Sequence, residues 1–263
     1  MPVLFIGHGS PMNGIEDNEF SQEWKKLALE IPVPKAVLVV SAHWFTKSSR
    51  VTAMDFPRTI HDFYGFPKQL SEIQYTAPGS PNLAAHTASL IKSSLVIPDH
   101  DWGLDHGAWT IVRHMYPQAD IPVLQLSLDY SKSPKEHYRL AAELFQLRKK
   151  GVLIIGSGNM VHNLGMLSWE MIHGGGYDWA TEMNQTFKEL ILNGDHDALI
   201  HYERLGSKVR LAIPTPEHYL PLLYALALKS KDDEVSIFND KAVGGSLTMT
   251  SVSIIPASGS SYK

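Results

Sequence analysis

AVLVVSA (36–42) is the stretch that decides the fold. Its residues are apolar at odd and even positions alike. A strand made of them must be covered on both faces, as inner strands of a parallel sheet are. GVLIIGS (151–157) and PVLQLSL (122–128) read the same way, and VLFI (3–6) and LTMTSVSII (247–255) predict two more strands. Helical patterns lie between them. NEFSQEWKKLALE (18–30) places Phe20, Trp24 and Leu27 at helical spacing. PNLAAHTASLIKSS (81–94) opens on proline, which suits a first helical turn. SPKEHYRLAAELFQLRKKG (133–151) has a serine cap and stops at glycine, and DWATEMNQTFKELILNG (178–194) starts at Asp178 and stops at Gly194. PTPEHYLPLLYALALKS (214–230) is apolar almost all round and predicts a buried helix. Strands alternating with helices predict an α/β sheet with helices on both faces. No linker, repeat or shift of composition divides residues 1–263, so one domain is expected, with a frayed tail at PASGSSYK (256–263).

Composition narrows the function. With 44% hydrophobic and 19% charged residues, the chain can bury a core without covalent staples. The formal net charge of −4 and the lack of a basic stripe predict no nucleic-acid partner. There are no cysteines, hence no disulfides, thiolate metal sites or cysteine nucleophiles. VLFI is too short for the apolar core of a secretory leader, and no apolar run reaches a membrane span. These features predict a soluble cytoplasmic protein with no membrane partner.

The histidines carry most of the chemistry. There are thirteen, about twice ordinary usage. His8 follows VLFIG, His43 follows AVLVVSA and His162 follows VLIIGSGNMV, each just past the carboxyl end of an expected inner strand. Ligands of open α/β sheets bind outside those ends. Three imidazoles from three strands can therefore converge, and neutral imidazole is a general ligand for zinc, iron and copper. Gly7 and Gly9 free the backbone around His8, and Ser41 and Ala42 keep the strand end before His43 narrow.

Other segments join the list. DWGLDHGAW (101–109) sets Asp101, Asp105 and His106 in an aromatic frame and predicts a loop over a pocket. PTPEHYLPLL (214–223) puts Glu217 and His218 in the first turn of the expected helix, where the helix N-terminus favours neutral imidazole. HDFYGFP (61–67) and TAPGSP (76–81) read as pocket walls, with His61, Phe63, Tyr64 and Trp102 candidates to contact a flat substrate. His86, His114, His137, His196 and His201 are expected to be solvated. No Walker loop, Gly-x-Ser-x-Gly elbow or His-Glu-x-x-His helix is present, and the GSG at 156–158 lacks the third glycine of a dinucleotide fingerprint.

Taken together, GHGSPMN, VVSAHWF, HDFYGFP, APGSP, WGLDHGAW, GSGNMVHNL and PTPEHYLPLL occur in this order from Leu4 to about Val252. The set resembles the 4,5-DOPA extradiol dioxygenases, of the class III ring-cleaving superfamily (protocatechuate 4,5-dioxygenase β-subunit-like). The resemblance implies a single α/β domain with a mixed, mostly parallel sheet and a metal at its carboxyl edge. It implies that His8, His43 and His218 hold one divalent metal, with His162 as acid–base residue and occasional fourth ligand. His106 would steer O2 or a substrate hydroxyl. It further implies Fe(II) for activity with Zn(II) as a substitute, a small aromatic diol such as L-DOPA plus O2 as substrates, and a muconic semialdehyde product. The protocatechuate branch supplies a carboxylate as third ligand. Here Glu217 and His218 stand side by side, and the closer subfamily favours His218. A monomer or small homo-oligomer is expected. Read from the residues alone, a zinc-dependent hydrolase or a non-enzymatic metal-binding protein remains open.

Overall fold

The computed structural model describes residues 1–257. Among the described residues ten strands occur in chain order: β1 (Val3–Gly7), β2 (Ala36–Thr46), β3 (Ser49–Thr52), β4 (Val96–Asp99), β5 (Val123–Asp129), β6 (Val152–Gly158), β7 (Asp233–Phe238), β8 (Ala242–Val243), β9 (Leu247–Thr248) and β10 (Ser251–Pro256). The helices are α1 (Glu19–Glu30), α2 (Lys68–Ser71), α3 (Pro81–Leu90), α4 (His106–Met115), α5 (Pro134–Ala142), α6 (Phe145–Lys149), α7 (Asp178–Asn193), α8 (His196–Ile200), α9 (Val209–Ala212) and α10 (Leu220–Ala227).

Eight strands form one sheet in the order β4-β3-β5-β2-β6-β1-β10-β7, and β8 pairs β9 beside it. The centre, β5-β2-β6-β1, is parallel, while β10, β7 and the β3–β5 junction are antiparallel. The strand period of two divides the core. Val3 and Phe5 of β1, with Leu38 and Val40 of β2, pack on the face that carries α5, α7 and α10. Leu4 and Ile6, with Val37 and Val39, pack on the face that carries α1 and α4. The all-apolar strands are thus covered twice, as their sequence requires.

Several expected boundaries change. The strand expected over 247–255 splits, because Leu247–Thr248 pairs β8 while Ser251–Pro256 pairs β1 and β7. The helix expected over 133–151 divides into α5 and α6. Pro256 closes β10 rather than opening a frayed tail, and the tail's last six positions (258–263) lie outside the described residues. His114 and His137 are buried, not solvated. Each has a carbonyl to itself: His114 Nε2 lies 2.7 Å from Asn13 O and His137 Nε2 3.1 Å from Asp129 O, with Tyr224 Oη 3.0 Å from His137 Nδ1. No helix among the described residues is long and apolar enough to cross a membrane.

Arg148 ties the sheet's amino-terminal edge. Its buried guanidinium donates to Asp233 Oδ2 at 2.6 Å, to Met1 O at 2.8 Å and to Leu228 O. Removing one member of a buried charged pair strands the other. Arg148→Met is therefore expected to cost about 3–5 kcal/mol of stability, read as a fall in the urea midpoint. Stability should also fall with acid. Burial lowers the His137 pKa from 6.5 to about 4, so the unfolded chain takes up a proton first. Between pH 6.5 and 4 the unfolded state binds more protons, and stability is lost as pH falls. His137 alone accounts for up to about 3 kcal/mol of that loss at pH 4. Urea titrations at pH 7.5 and 4.5 check the sign.

Candidate metal centre and active site

The sheet order explains how distant histidines meet. β1, β6 and β2 are neighbours running the same way, so their carboxyl ends lie side by side. His8 follows the last residue of β1, and His162 lies four residues beyond β6. His43 lies within β2, where pairing with β5 shifts register between Val40 and Phe45. That irregularity takes residues 41–44 out of the β5 ladder and leaves His43 free to turn toward its neighbours.

The glycines act mainly through close approach. A Cβ on Gly7 would meet the Met249 carbonyl at 2.6 Å, and one on Gly158 would meet the His218 carbonyl at 2.1 Å. Gly9 adopts φ of +62°, the left-handed turn that releases the chain after His8. Gly158 is what lets the His218 segment lie against the end of β6, where Asn159 N donates to His218 O at 2.9 Å. His218 itself precedes α10 in a turn, so it is not in a helical first turn as expected. His106 likewise opens α4 instead of lying in a loop. The cap is Asp105, whose side chain accepts from Ala108 N at 3.1 Å, Ser41 Oγ at 2.7 Å and Gln125 Nε2 at 2.7 Å.

Five imidazoles gather here. The His8 ring centre is 4.9 Å from that of His43, 5.4 Å from His218 and 5.5 Å from His106. His43 and His106 are 3.9 Å apart, and His162 stacks on His218 at 3.5 Å and 6°. His8 Nε2 and His43 Nε2 are 3.0 Å apart. Ring nitrogens of His8, His43 and His218 all lie within 4.8 Å of one another. Burial, reinforced by neighbouring imidazoles, holds His8 and His218 well below the usual histidine range. Burial likewise brings His43 to about 3 and His162 to about 4. All four are neutral at pH 7. For His218 the cause is burial and neighbouring rings, not a helix end.

The oxygens behind the rings fix where the lone pairs point. Ser157 Oγ donates its one proton to Gly107 O at 2.5 Å. Toward His8 Nδ1, 2.9 Å away, it can therefore only accept. His8 is then protonated on Nδ1 and bare on Nε2. His218 Nδ1 has Glu217 Oε1 at 3.3 Å, and His43 Nδ1 has Asp62 Oδ2 at 3.5 Å. His218 Nε2 is buried without a hydrogen-bond partner among the described residues. Such a set suits a divalent cation. His8, His43 and His218 would be the residues to hold it.

The remaining candidates separate. Phe63 packs edge-on against His106 at 5.8 Å. His61 is held by Ile73 O at 2.9 Å and packs edge-on against Phe63. Tyr64 is 94% exposed. Trp102 stacks on Trp44 at 5.5 Å, and with His43, Lys47, Arg50 and Asp99 they line a cavity of about 400 Å³. Reasoning from sequence missed Asp62, Ser157 and the Asp105–Gln125 pair. For Asp62 the only signal was its place in HDFYGFP.

His8 and His43 at the carboxyl edge of the parallel strands, met by His218 from the turn before α10, form a buried three-imidazole group of a kind that could hold a metal ion. Residues 2–252 match the model of the catalytic LigB subunit of aromatic ring-opening dioxygenase. The chain is 45% identical over 261 residues to 4,5-DOPA dioxygenase extradiol of Escherichia coli (strain K12), covering 97% of this chain and 94% of that protein. It is 37% identical to 4,5-DOPA dioxygenase extradiol of Beta vulgaris, covering 92% of each. The crystal structure of an uncharacterized protein from Escherichia coli K12 superposes with a TM-score of 0.83 at 41% identity, covering 97% of this chain and 99% of that one. The chain belongs to the LigB family of aromatic ring-opening dioxygenases and is an extradiol dioxygenase.

Gly158→Ala tests the close approach under His218. The added methyl must displace the His218 carbonyl, so Zn(II) affinity is expected to fall at least tenfold, read by calorimetry. Unchanged affinity would show that His218 does not depend on this contact.

Proposed function

We propose that this enzyme opens a catechol next to one hydroxyl, that L-DOPA or a close analogue is the substrate, and that Fe(II) held by His8, His43 and His218 is required. The carrying observation is the three-imidazole cluster, with an oxygen behind each Nδ1. Bound there, iron would supply Lewis acidity and an electron path between the diol and O2. The overall reaction places both atoms of O2 in a muconic semialdehyde, so it needs no further oxidant or reductant.

The chain's own residues supply the rest. His162 is half-buried at the rim, stacked on His218. Its neutral ring is the group suited to take a hydroxyl proton from the incoming diol. His106, buried beside His43, is the group suited to orient a hydroxyl or O2. Trp44 and Trp102 give a flat aromatic wall, and Phe63 shields His106 from water. At the cavity rim Arg50 is held by Asp99 at 3.0 Å, and Lys47 lies nearby. This cationic rim favours a diol with an anionic side chain, as DOPA has, and the relatives named for DOPA support that choice.

The test is oxygen uptake with absorbance recorded in parallel, using metal-stripped protein reloaded anaerobically with Fe(II) or Zn(II). One O2 consumed per yellow product, with iron only, is expected. Turnover with zinc and no oxygen uptake would favour a hydrolase. His162→Ala should keep its metal and lose about 10²–10⁴ in kcat. Arg50→Met should raise KM for L-DOPA roughly tenfold, the scale of one charge-assisted hydrogen bond, and leave KM for 4-methylcatechol unchanged.

A further inference from the structure

Asp62 faces two imidazoles at once. Its Oδ2 lies 3.0 Å from His106 Nδ1 and 3.5 Å from His43 Nδ1, and its Oδ1 accepts from the His106 backbone N–H at 2.9 Å. The carboxylate is half-buried, with 19% of its side chain exposed. As a carboxylate it is an acceptor only. Neither ring nitrogen makes a full hydrogen bond to it, and His106 Nδ1 is buried without a hydrogen-bond partner among the described residues; a negative charge this close still stabilises a facing imidazole nitrogen as N–H.

Among the described residues no other acceptor does this for His43. Its Nε2 is turned to His8 Nε2 at 3.0 Å, and the His8 nitrogen is the bare one, because Ser157 accepts the proton on its other nitrogen. Two tautomers of His43 compete. With the proton on Nε2, His43 would donate to His8 and turn a lone pair toward the Asp62 carboxylate. With the proton on Nδ1, it would point N–H at Asp62 and turn a lone pair toward His8. A negative charge behind Nδ1 favours the second, which is the form able to bind a metal through Nε2.

We propose that Asp62 is the positioning residue of this site. One carboxylate holds both His43 and His106 protonated on Nδ1, so that the ligand lone pair and the His106 ring are set by the same group. The proposal rests on His43 being a metal ligand, as argued above. The His43 and His106 ring centres are 3.9 Å apart, with the planes tilted by 48°, so a shift of the carboxylate moves both. The two functions, holding metal and orienting what binds beside it, are thereby tied to one loop residue outside the sheet.

The test uses ¹⁵N-histidine-labelled full-length protein without metal, then Zn(II) titrated alone. In the wild type the two rings should show protonated Nδ1 and bare Nε2. In Asp62→Asn the side-chain amide can present N–H toward the rings, so His43 should move toward the Nε2–H tautomer. Zn(II) affinity should fall 10–100-fold. Asp62→Glu should restore the wild-type tautomer and most of the affinity. A wild-type His43 protonated on Nε2 would overturn the proposal without any variant. So would an Asp62→Asn protein with unchanged tautomers and unchanged Zn(II) affinity. Neither readout depends on turnover, so failure of catechol cleavage would leave this result standing and would count only against the proposed reaction.

Discussion

A buried neutral imidazole has one donor and one acceptor, and the rest of this site depends on which nitrogen is which. His8, His43 and His218 are crowded so closely that protonating all three is prohibitive. Neutrality is therefore built in. Direction is not, because either nitrogen of a neutral ring can carry the proton. Oxygens stand near the outer nitrogens of the rings, Ser157 by His8, Asp62 by His43 and Glu217 by His218, and the proposed direction rests on them. The inward lone pairs follow from those three positions.

The fold supplies the oxygens as well as the rings. Ser157 belongs to β6, the strand between β1 and β2, and its hydroxyl is aligned by a carbonyl of α4. Helix α4 is itself fixed by its buried cap: Asp105 joins Ser41 of β2 to Gln125 of β5. A network with each member satisfied rigidifies what it touches. Gly107 sits at the crowded point, where a Cβ would approach Ser41 Oγ at 2.7 Å and the His43 ring at 3.0 Å. The third imidazole, His218, is carried by the turn before α10 and pressed onto Gly158.

How much of this is legible in the sequence depends on range. The apolar strands announce themselves because burial on both faces leaves no polar position, and His8, His43 and His162 are legible because each follows such a run. The sheet order is not, since it depends on pairings between residues more than a hundred apart, such as Val3 with Ile154. Helix α4 hides because His-Gly-Ala-Trp begins with residues that also suit a loop, and its cap is identified only by contacts with distant strands. His114 and His137 look solvated on helical patterns. Their burial becomes evident only when Asn13 and Asp129 bring carbonyls to them. Asp62 is the instructive omission. Nothing in HDFYGFP separates it from any loop aspartate until β2 and α4 bring two rings to its carboxylate. The family resemblance named the ligand set, and the geometry adds the reason those rings face inward.

The account's central claim is that three imidazoles, and not a carboxylate, form the protein's share of the metal shell. X-ray absorption on the Fe(II)-loaded protein measures this directly, through the outer-shell scattering that rigid imidazole rings produce. The account predicts scattering from three rings in the wild type, two in His218→Ala, and three still in Glu217→Gln. Two rings in the wild type, with loss of a light-atom ligand in Glu217→Gln, would place Glu217 on the metal and contradict it.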